Sequence, residues 1–231
     1  MRQVTDIPIL PPVVARKKKA DPSPRLIAIE GPIGVGKSSL SDFLAKRLGA
    51  RVISEEVEEN PFLKPFYADQ RRYAFQAQMF FLLSRYQQQM QLKQEDLFHK
   101  VTVADYVFEK DRIFAHLTLS PDELALYERV YRTLEPEVPA PDLVVYLQAR
   151  ADVLLERIRT RGREWERPIK QEWLEAVIQA YNTYFFHWKK SPLLVINTSD
   201  IDFVERESHL ETVLSAIRRM RRGVQYMNPG G

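Results

Sequence analysis

Residues 31–38 read Gly-Pro-Ile-Gly-Val-Gly-Lys-Ser, a full Gly-x4-Gly-Lys-Ser phosphate-binding loop. Its residue types dictate its chemistry. Gly31, Gly34 and Gly36 permit backbone conformations closed to residues with a Cβ. The N–H groups of the stretch, those of Val35, Lys37, Ser38 and Ser39 among them, then turn inward as an anion cradle at a helix start. Lys37 is placed for the β- and γ-phosphates of a nucleoside triphosphate, and the Ser38 hydroxyl for Mg²⁺.

Further reactive groups come later in the chain. Residues 54–59, Ser-Glu-Glu-Val-Glu-Glu, crowd four carboxylates. One bland use is a solvated acidic turn before a helix. A sharper one makes Glu55 the general base that orients an acceptor hydroxyl for phosphoryl transfer. Asp105 is a second carboxylate that can join Ser38 around Mg²⁺. Between Arg157 and Arg167 five arginines surround Gly162, a composition suited to a lid that closes over a transferring phosphoryl group. Gln78 and Arg85 are seven residues apart, so a helix would place them on nearly one face. An amide such as Gln78 suits the edge of a base. Residues 197–203, Asn-Thr-Ser-Asp-Ile-Asp-Phe, can cup the adenine of a donor through Asp202 and Phe203. They lack the Asn-Lys-x-Asp signature of GTP switches, so ATP is the expected donor.

These groups need a frame that gathers them. Apolar runs at 26–30, 51–54, 101–104, 143–147 and 193–196 read as buried strands. Helical patterns fall near 37–48, 71–94, 121–134, 151–161, 170–189 and 203–221. In the first of these, Leu40, Phe43, Leu44 and Leu48 share a face. Strand and helix in alternation imply an α/β fold, a five-stranded parallel sheet flanked by helices on both faces. Every candidate group then lies just past a strand end or on a bordering helix, where ligands collect in such sheets.

The chain of 231 residues suits one such domain, expected over 25–221. The Pro- and Lys-rich segment 1–24 reads as a weakly ordered arm, and 222–231 as a flexible tail. Residues 1–25 hold six basic and two acidic residues, and 218–231 four arginines and no acid. That leaves 24 basic and 29 acidic residues in 26–217. The basic character sits in the ends, which argues against a nucleic-acid partner for the fold itself. There is no cysteine, hence no disulfide framework. No apolar run is long enough to cross a membrane. With Asp6 early and no long apolar stretch near the start, the expected location is the cytoplasm.

Several motifs in register extend the reading: Ile-Glu-Gly-Pro-Ile-Gly-Val-Gly-Lys-Ser at 29–38, Glu-Glu-Val-Glu-Glu-Asn-Pro-Phe-Leu at 55–63 and Phe-Gln-Ala-Gln-Met-Phe-Phe-Leu-Leu-Ser-Arg at 75–85. Ala-Asp-Tyr at 104–106, Arg-Gly-Arg-Glu-Trp-Glu at 161–166 and Asp-Ile-Asp-Phe at 200–203 follow. Over about 26–217 the chain resembles the deoxynucleoside kinases, especially the bacterial deoxyguanosine and deoxyadenosine branch. The resemblance implies the P-loop kinase fold and transfer of the ATP γ-phosphate to the 5′-hydroxyl of a deoxynucleoside, a purine one by its bacterial branch. It implies Glu55 as the base, Tyr67 and Glu166 as the pair on the 3′-hydroxyl, Gln78 as the base reader and Arg161 and Arg163 as lid arginines. It also implies a homodimer through the helices near 71–94 and 121–134. One departure stands out. Many animal members carry Glu-Arg-Ser after the third strand, and this chain has Ala-Asp-Tyr. Arg85 or a lid arginine is expected to replace the absent guanidinium. The rival readings are a nucleoside monophosphate kinase of the thymidylate kinase type and an ATP-binding regulator.

Overall fold

The computed structural model describes residues 24–92 and 100–228. The arm expected at 1–24 lies, but for Pro24, outside the described residues, as do the last two positions of the helix expected at 71–94.

Among the described residues six strands form one sheet: β1 (Leu26–Glu30), β2 (Arg51–Ile53), β3 (Thr102–Ala104), β4 (Leu143–Gln148), β5 (Leu193–Asn197) and β6 (Val224–Met227). Their order is β2-β3-β1-β4-β5-β6, with every pairing parallel. Eight α-helices accompany them among the described residues: α1 (Lys37–Leu48), α2 (Leu63–Ala68), α3 (Gln70–Leu92), α4 (Lys110–Thr118), α5 (Pro121–Leu134), α6 (Ala151–Arg161), α7 (Gln171–Phe186) and α8 (Glu207–Arg219).

Side-chain alternation along the strands builds two cores. On β4, Leu143, Val145 and Leu147 face a layer that contains Leu40 and Leu44 of α1, Leu154 and Ile158 of α6, and Leu210, Val213 and Ile217 of α8. Val144 and Tyr146 face the opposite layer, with Ile113 of α4 and Val177, Tyr181 and Phe185 of α7. Burial on both faces is why these strands read as continuous apolar runs. Beside this sandwich, α3 and α5 meet in a third cluster around Leu82, Tyr127 and Tyr131.

Two expectations need correction. The sheet has six strands, not five, and the sixth comes from the segment expected to be a flexible tail. Val224 aligns with Leu193 and Met227 with Ile196. Val224, Gln225 and Tyr226 stay exposed while Met227 meets the core. The strand is held by its backbone ladder, which hydrophobic patterning does not register. The last helix also starts later than 203, at Glu207. Asp202 accepts from the N–H groups of Val204 and Glu205 and holds those residues in a turn instead.

Candidate active site

The phosphate loop joins β1 to α1 and its backbone has the expected form. Gly36 has φ 101°, and a Cβ there would stand 2.8 Å from the Phe203 ring. At Gly34, φ 83°, a Cβ would meet Ile158 of α6 at 2.8 Å. The loop is thus pressed between the 200–203 turn and the lid-bearing helix, and only glycine fits at those two contacts. Val35 buries its side chain in the core and donates its N–H to Pro32 O. Lys37 Nζ donates to Gly31 O at 2.8 Å and Pro32 O at 3.1 Å. Burial and the nearby Lys110 charge lower its pKa to about 8.

Glu30 ends β1 fully buried. Its carboxylate accepts from the N–H of Gly31 at 2.8 Å, the N–H of Val107 at 2.9 Å and the Tyr181 hydroxyl at 3.1 Å. Burial raises its pKa against the pull of Lys110 and Lys37. It ties the loop to the turn ahead of α4. A charged residue closing the apolar run Leu26–Ile29 was the sequence signal for it.

A cleft of about 980 Å³, its open mouth included, lies beyond the carboxyl ends of β1, β2 and β3. The end at the phosphate loop holds Gly34, Lys37, Ser38, Glu55 and Asp105. Ser38 Oγ donates to Asp105 Oδ2 at 3.0 Å, and Asp105 Oδ1 accepts from the Glu55 N–H at 2.8 Å. One carboxylate therefore couples the loop serine to the strand end that presents Glu55. The Glu55 side chain takes Arg85 Nη2 on Oε1 and Lys110 Nζ on Oε2. Burial alone would raise its pKa, but Lys110 and Arg85 hold it well below the usual carboxylate range.

The rest of the cleft is lined by residues that include Tyr67, Gln78, Arg85, Asp111, Phe114 and Glu166. Gln78 is buried, with one long contact at 3.5 Å to Thr118 Oγ1. Tyr67 stands edge-on to Phe66 and Trp173. Burial, then the Glu166 and Glu55 charges, raise its phenol pKa, so it remains a hydrogen-bond donor. Arg85 bridges Glu55 and Asp111, with the rings of Phe81 and Tyr106 against its guanidinium. Asp111 Oδ2 and Arg85 Nε are buried with no partner among the described residues.

Arg161 and Arg163 stand at one wall of the cleft. Arg161 Nη2 meets both Glu166 oxygens, at 2.8 and 2.7 Å, and Arg163 reaches Glu58 at 3.5 Å. Both arginines, with Gly34 and Ile33, line the cleft.

The structure thus gathers Gly34, Lys37, Ser38, Glu55, Tyr67, Gln78, Arg85, Asp105, Arg161, Arg163 and Glu166 around one cavity. Ser39, Asp202 and Phe203 do not line it. Phe203 is buried against Gly36, and Asp202 organises its own turn. Arg157, one of the five arginines assigned to a lid, instead holds the 198–201 stretch through Thr198 Oγ1, Thr198 O and Ile201 O. Sequence reasoning missed Lys110 and Asp111. Glu-Lys-Asp at 109–111 reads as a solvated charge run, and no spacing signal shows that it opens α4 inside the cleft.

A phosphate loop on a parallel sheet, with a strand-end carboxylate and two arginines around the same cleft, defines a P-loop phosphotransferase. The model of the deoxynucleoside kinase family matches residues 27–221, and the chain belongs to that family. It is 37% identical over 199 residues to a deoxyguanosine kinase of Bacillus subtilis, covering 84% of this chain and 96% of the relative. It is 31% identical over 204 residues to a deoxyadenosine/deoxycytidine kinase of the same organism, covering 85% and 93%. Among solved structures, a deoxyadenosine kinase of M. mycoides with its products dCMP and dCDP superposes with TM-score 0.74 at 26% identity, covering 84% of this chain and 98% of that one. The enzyme is an ATP-dependent phosphotransferase acting on deoxynucleosides. The monophosphate-kinase and regulator readings are not favoured.

Proposed function

We propose that this enzyme moves the γ-phosphate of ATP to the 5′-hydroxyl of a purine deoxynucleoside, deoxyguanosine or deoxyadenosine. The observation that carries the reading is the position of Glu55. It stands between the Lys37–Ser38 loop and a pocket bounded by Tyr67, Gln78 and Glu166. The acids of that pocket, Glu55, Asp111 and Glu166, meet Arg85, Lys110 and Arg161, which ties up those cations and suits a neutral nucleoside.

Glu55 accepts the 5′-hydroxyl hydrogen bond and takes the proton as the oxygen bonds to phosphorus. Tyr67 and Glu166 hold the 3′-hydroxyl, and the Tyr67 ring selects a 2′-deoxy sugar by close packing. Gln78 and the unpartnered Asp111 oxygen address the base edge, and Phe114 offers its ring to the base face. The loop N–H groups and Lys37 hold the β- and γ-phosphates. Arg161 and Arg163 close on the transferring group. Asp202 shapes the donor-adenine turn through its carboxylate, and Phe203 anchors it through its ring.

Ser38 and Asp105 present two hard oxygens 3.0 Å apart, a pair that fits Mg²⁺. Bound there, the ion would neutralise phosphate oxygens. We place the enzyme in the cytoplasm. It pairs as a homodimer through α3 and α5, which leave Leu83 and Leu126 46% and 50% exposed.

The test is a panel of the four deoxynucleosides and their monophosphates with radiolabelled ATP. A purine deoxynucleoside is expected to turn over fastest. Phosphorylation of pyrimidines alone would overturn the base assignment, and phosphorylation of monophosphates alone the acceptor assignment.

A further inference from the structure

Lys110 has no task in the scheme above. It opens α4, is 8% exposed and places Nζ on Glu55 Oε2. It lines the cleft together with Lys37, Ser38 and Asp105. The strand end Asp105-Tyr106 carries no cation of its own, so Lys110 brings a positive charge to that strand end from a different element.

Lys110 is the second cation on Glu55, since Arg85 holds the other carboxylate oxygen. The two cations differ in how they are fixed. Arg85 is also gripped by Asp111 and flanked by the rings of Phe81 and Tyr106. Among the described residues Glu55 is the one ion-pair partner of Lys110. Its ammonium ends a flexible four-carbon stem with three rotatable donors. An acceptor hydroxyl that binds Glu55 competes for the oxygen Lys110 occupies. The nearest new anion is then the γ-phosphoryl group held by Lys37 and Ser38.

We infer that Lys110 is a catalytic residue of the phosphoryl transfer: its ammonium passes from Glu55 to the γ-phosphoryl oxygens as the acceptor hydroxyl takes its place. The 5′-oxygen–phosphorus bond forms while the bond from phosphorus to the β,γ-bridging oxygen breaks. ADP leaves with that electron pair, the hydroxyl proton goes to Glu55, and Lys110 exchanges no proton. It carries equatorial charge at the acceptor end, as Lys37 does at the donor end. The inference rests on the proposed acceptor pocket and on Glu55 as the group that receives the hydroxyl.

The test uses Lys110→Met and Lys110→Cys in the full chain. For Lys110→Met, kcat is expected to fall about 10²–10³-fold, the size of losing one such donor. Deoxynucleoside affinity should stay within about threefold, as for an interaction made only in the transition state. Affinity for the ADP–fluoroaluminate–deoxynucleoside complex, a mimic of the transferring group, should drop in parallel with kcat. The chain has no cysteine, so Lys110→Cys introduces its sole thiol. Aminoethylation of that thiol rebuilds the ammonium with sulfur in place of one methylene, and at least about tenfold of the lost rate should return. A Lys110→Met kcat within about threefold of wild type overturns the inference. So does an unchanged affinity for the mimic beside a reduced kcat, which would leave Lys110 only positioning Glu55. If Lys110→Met does not fold, the Lys110→Cys protein before and after alkylation decides alone, and no recovery overturns the inference. Wild-type enzyme inert towards every deoxynucleoside would instead sink the acceptor reading beneath it.

Discussion

At the scale of single residues, the site is a set of opposed charges waiting for a neutral hydroxyl and a polyanion. Glu55 lies under two cations, Lys110 and Arg85, which hold its carboxyl well below the usual carboxylate range, so it is ionised at neutral pH. Glu55→Gln keeps the shape and removes the acceptor of the proton. We expect deoxynucleoside binding to persist and kcat to fall about 10²–10⁴-fold, the usual contribution of a positioned base. Steady-state kinetics beside calorimetric titration of the nucleoside would check it, and an unchanged kcat would refute the base assignment. The depressed carboxyl also stabilises the fold at neutral pH. That contribution is lost as acid protonates it, below the ordinary range near ~4.3. Lys37 gives the alkaline counterpart. Its pKa, lowered to about 8 by burial and Lys110, means that its charge is full below that pH and lost above it. In free enzyme kcat/KM for ATP should therefore decline through about pH 8. At saturating ATP the bound phosphates favour the charged form, so kcat should hold to higher pH. A pH–rate profile taken at low and at saturating ATP separates the two, and coincident limbs would refute it.

At the scale of elements, glycines set how closely loop and helix meet. Gly36→Ala would drive a methyl to 2.8 Å from the buried Phe203 ring at φ 101°. We expect a stability loss of about 1–3 kcal/mol from backbone strain alone, and ATP affinity lowered at least tenfold, roughly 1.4 kcal/mol. Gly49 ends α1 at φ 59°, and a Cβ there would meet nothing within 4 Å beyond its own helix and chain neighbours among the described residues. Gly49→Ala should cost about 1 kcal/mol and leave ATP binding unchanged. Thermal melts and ATP titrations of both variants make the comparison, and equal ATP affinities would refute the loop contact. The sequence reveals the elements unevenly, and for physical reasons. The bounds of α1, α5 and α6 agree with their patterns because each has a plain stop or start: Gly49 after α1, the Ser120–Glu123 capping box before α5 and Gly162 after α6. Short α2 and α4 carry no such signal. Lys110 and Asp111 ride on α4, so they were invisible while the loop, Glu55 and the cleft-lining Arg161 and Arg163 were plain. The turn at 202–205 escaped because its hydrogen bonds come from one side chain, Asp202, not from apolar periodicity.

At the scale of the whole molecule, the sheet is closed on one side by a strand that contributes little apolar burial. β6 adds a backbone ladder to β5 over Leu193–Ile196, and only Met227 reaches the core. β5 in turn precedes the 198–203 turn that Arg157 holds and Phe203 anchors beneath Gly36. Were 222–231 a dispensable tail, its removal would leave stability untouched. The ladder says otherwise. Truncation after Arg221 removes the four strand residues and exposes the edge of β5. At about 1 kcal/mol for each backbone hydrogen bond lost, with four ladder positions, the cost is roughly 2–4 kcal/mol, or a Tm lower by about 5–15 °C. The cleft lies beyond β1, β2 and β3, at the other side of the sheet. Turnover of the folded truncated enzyme at low temperature should therefore stay within about threefold of the full chain. Calorimetry paired with kinetics at one temperature measures both quantities. A full-chain Tm in the truncated protein would mean that β6 contributes nothing. A large fall in kcat without unfolding would mean that the edge strand positions the donor turn as well as the sheet.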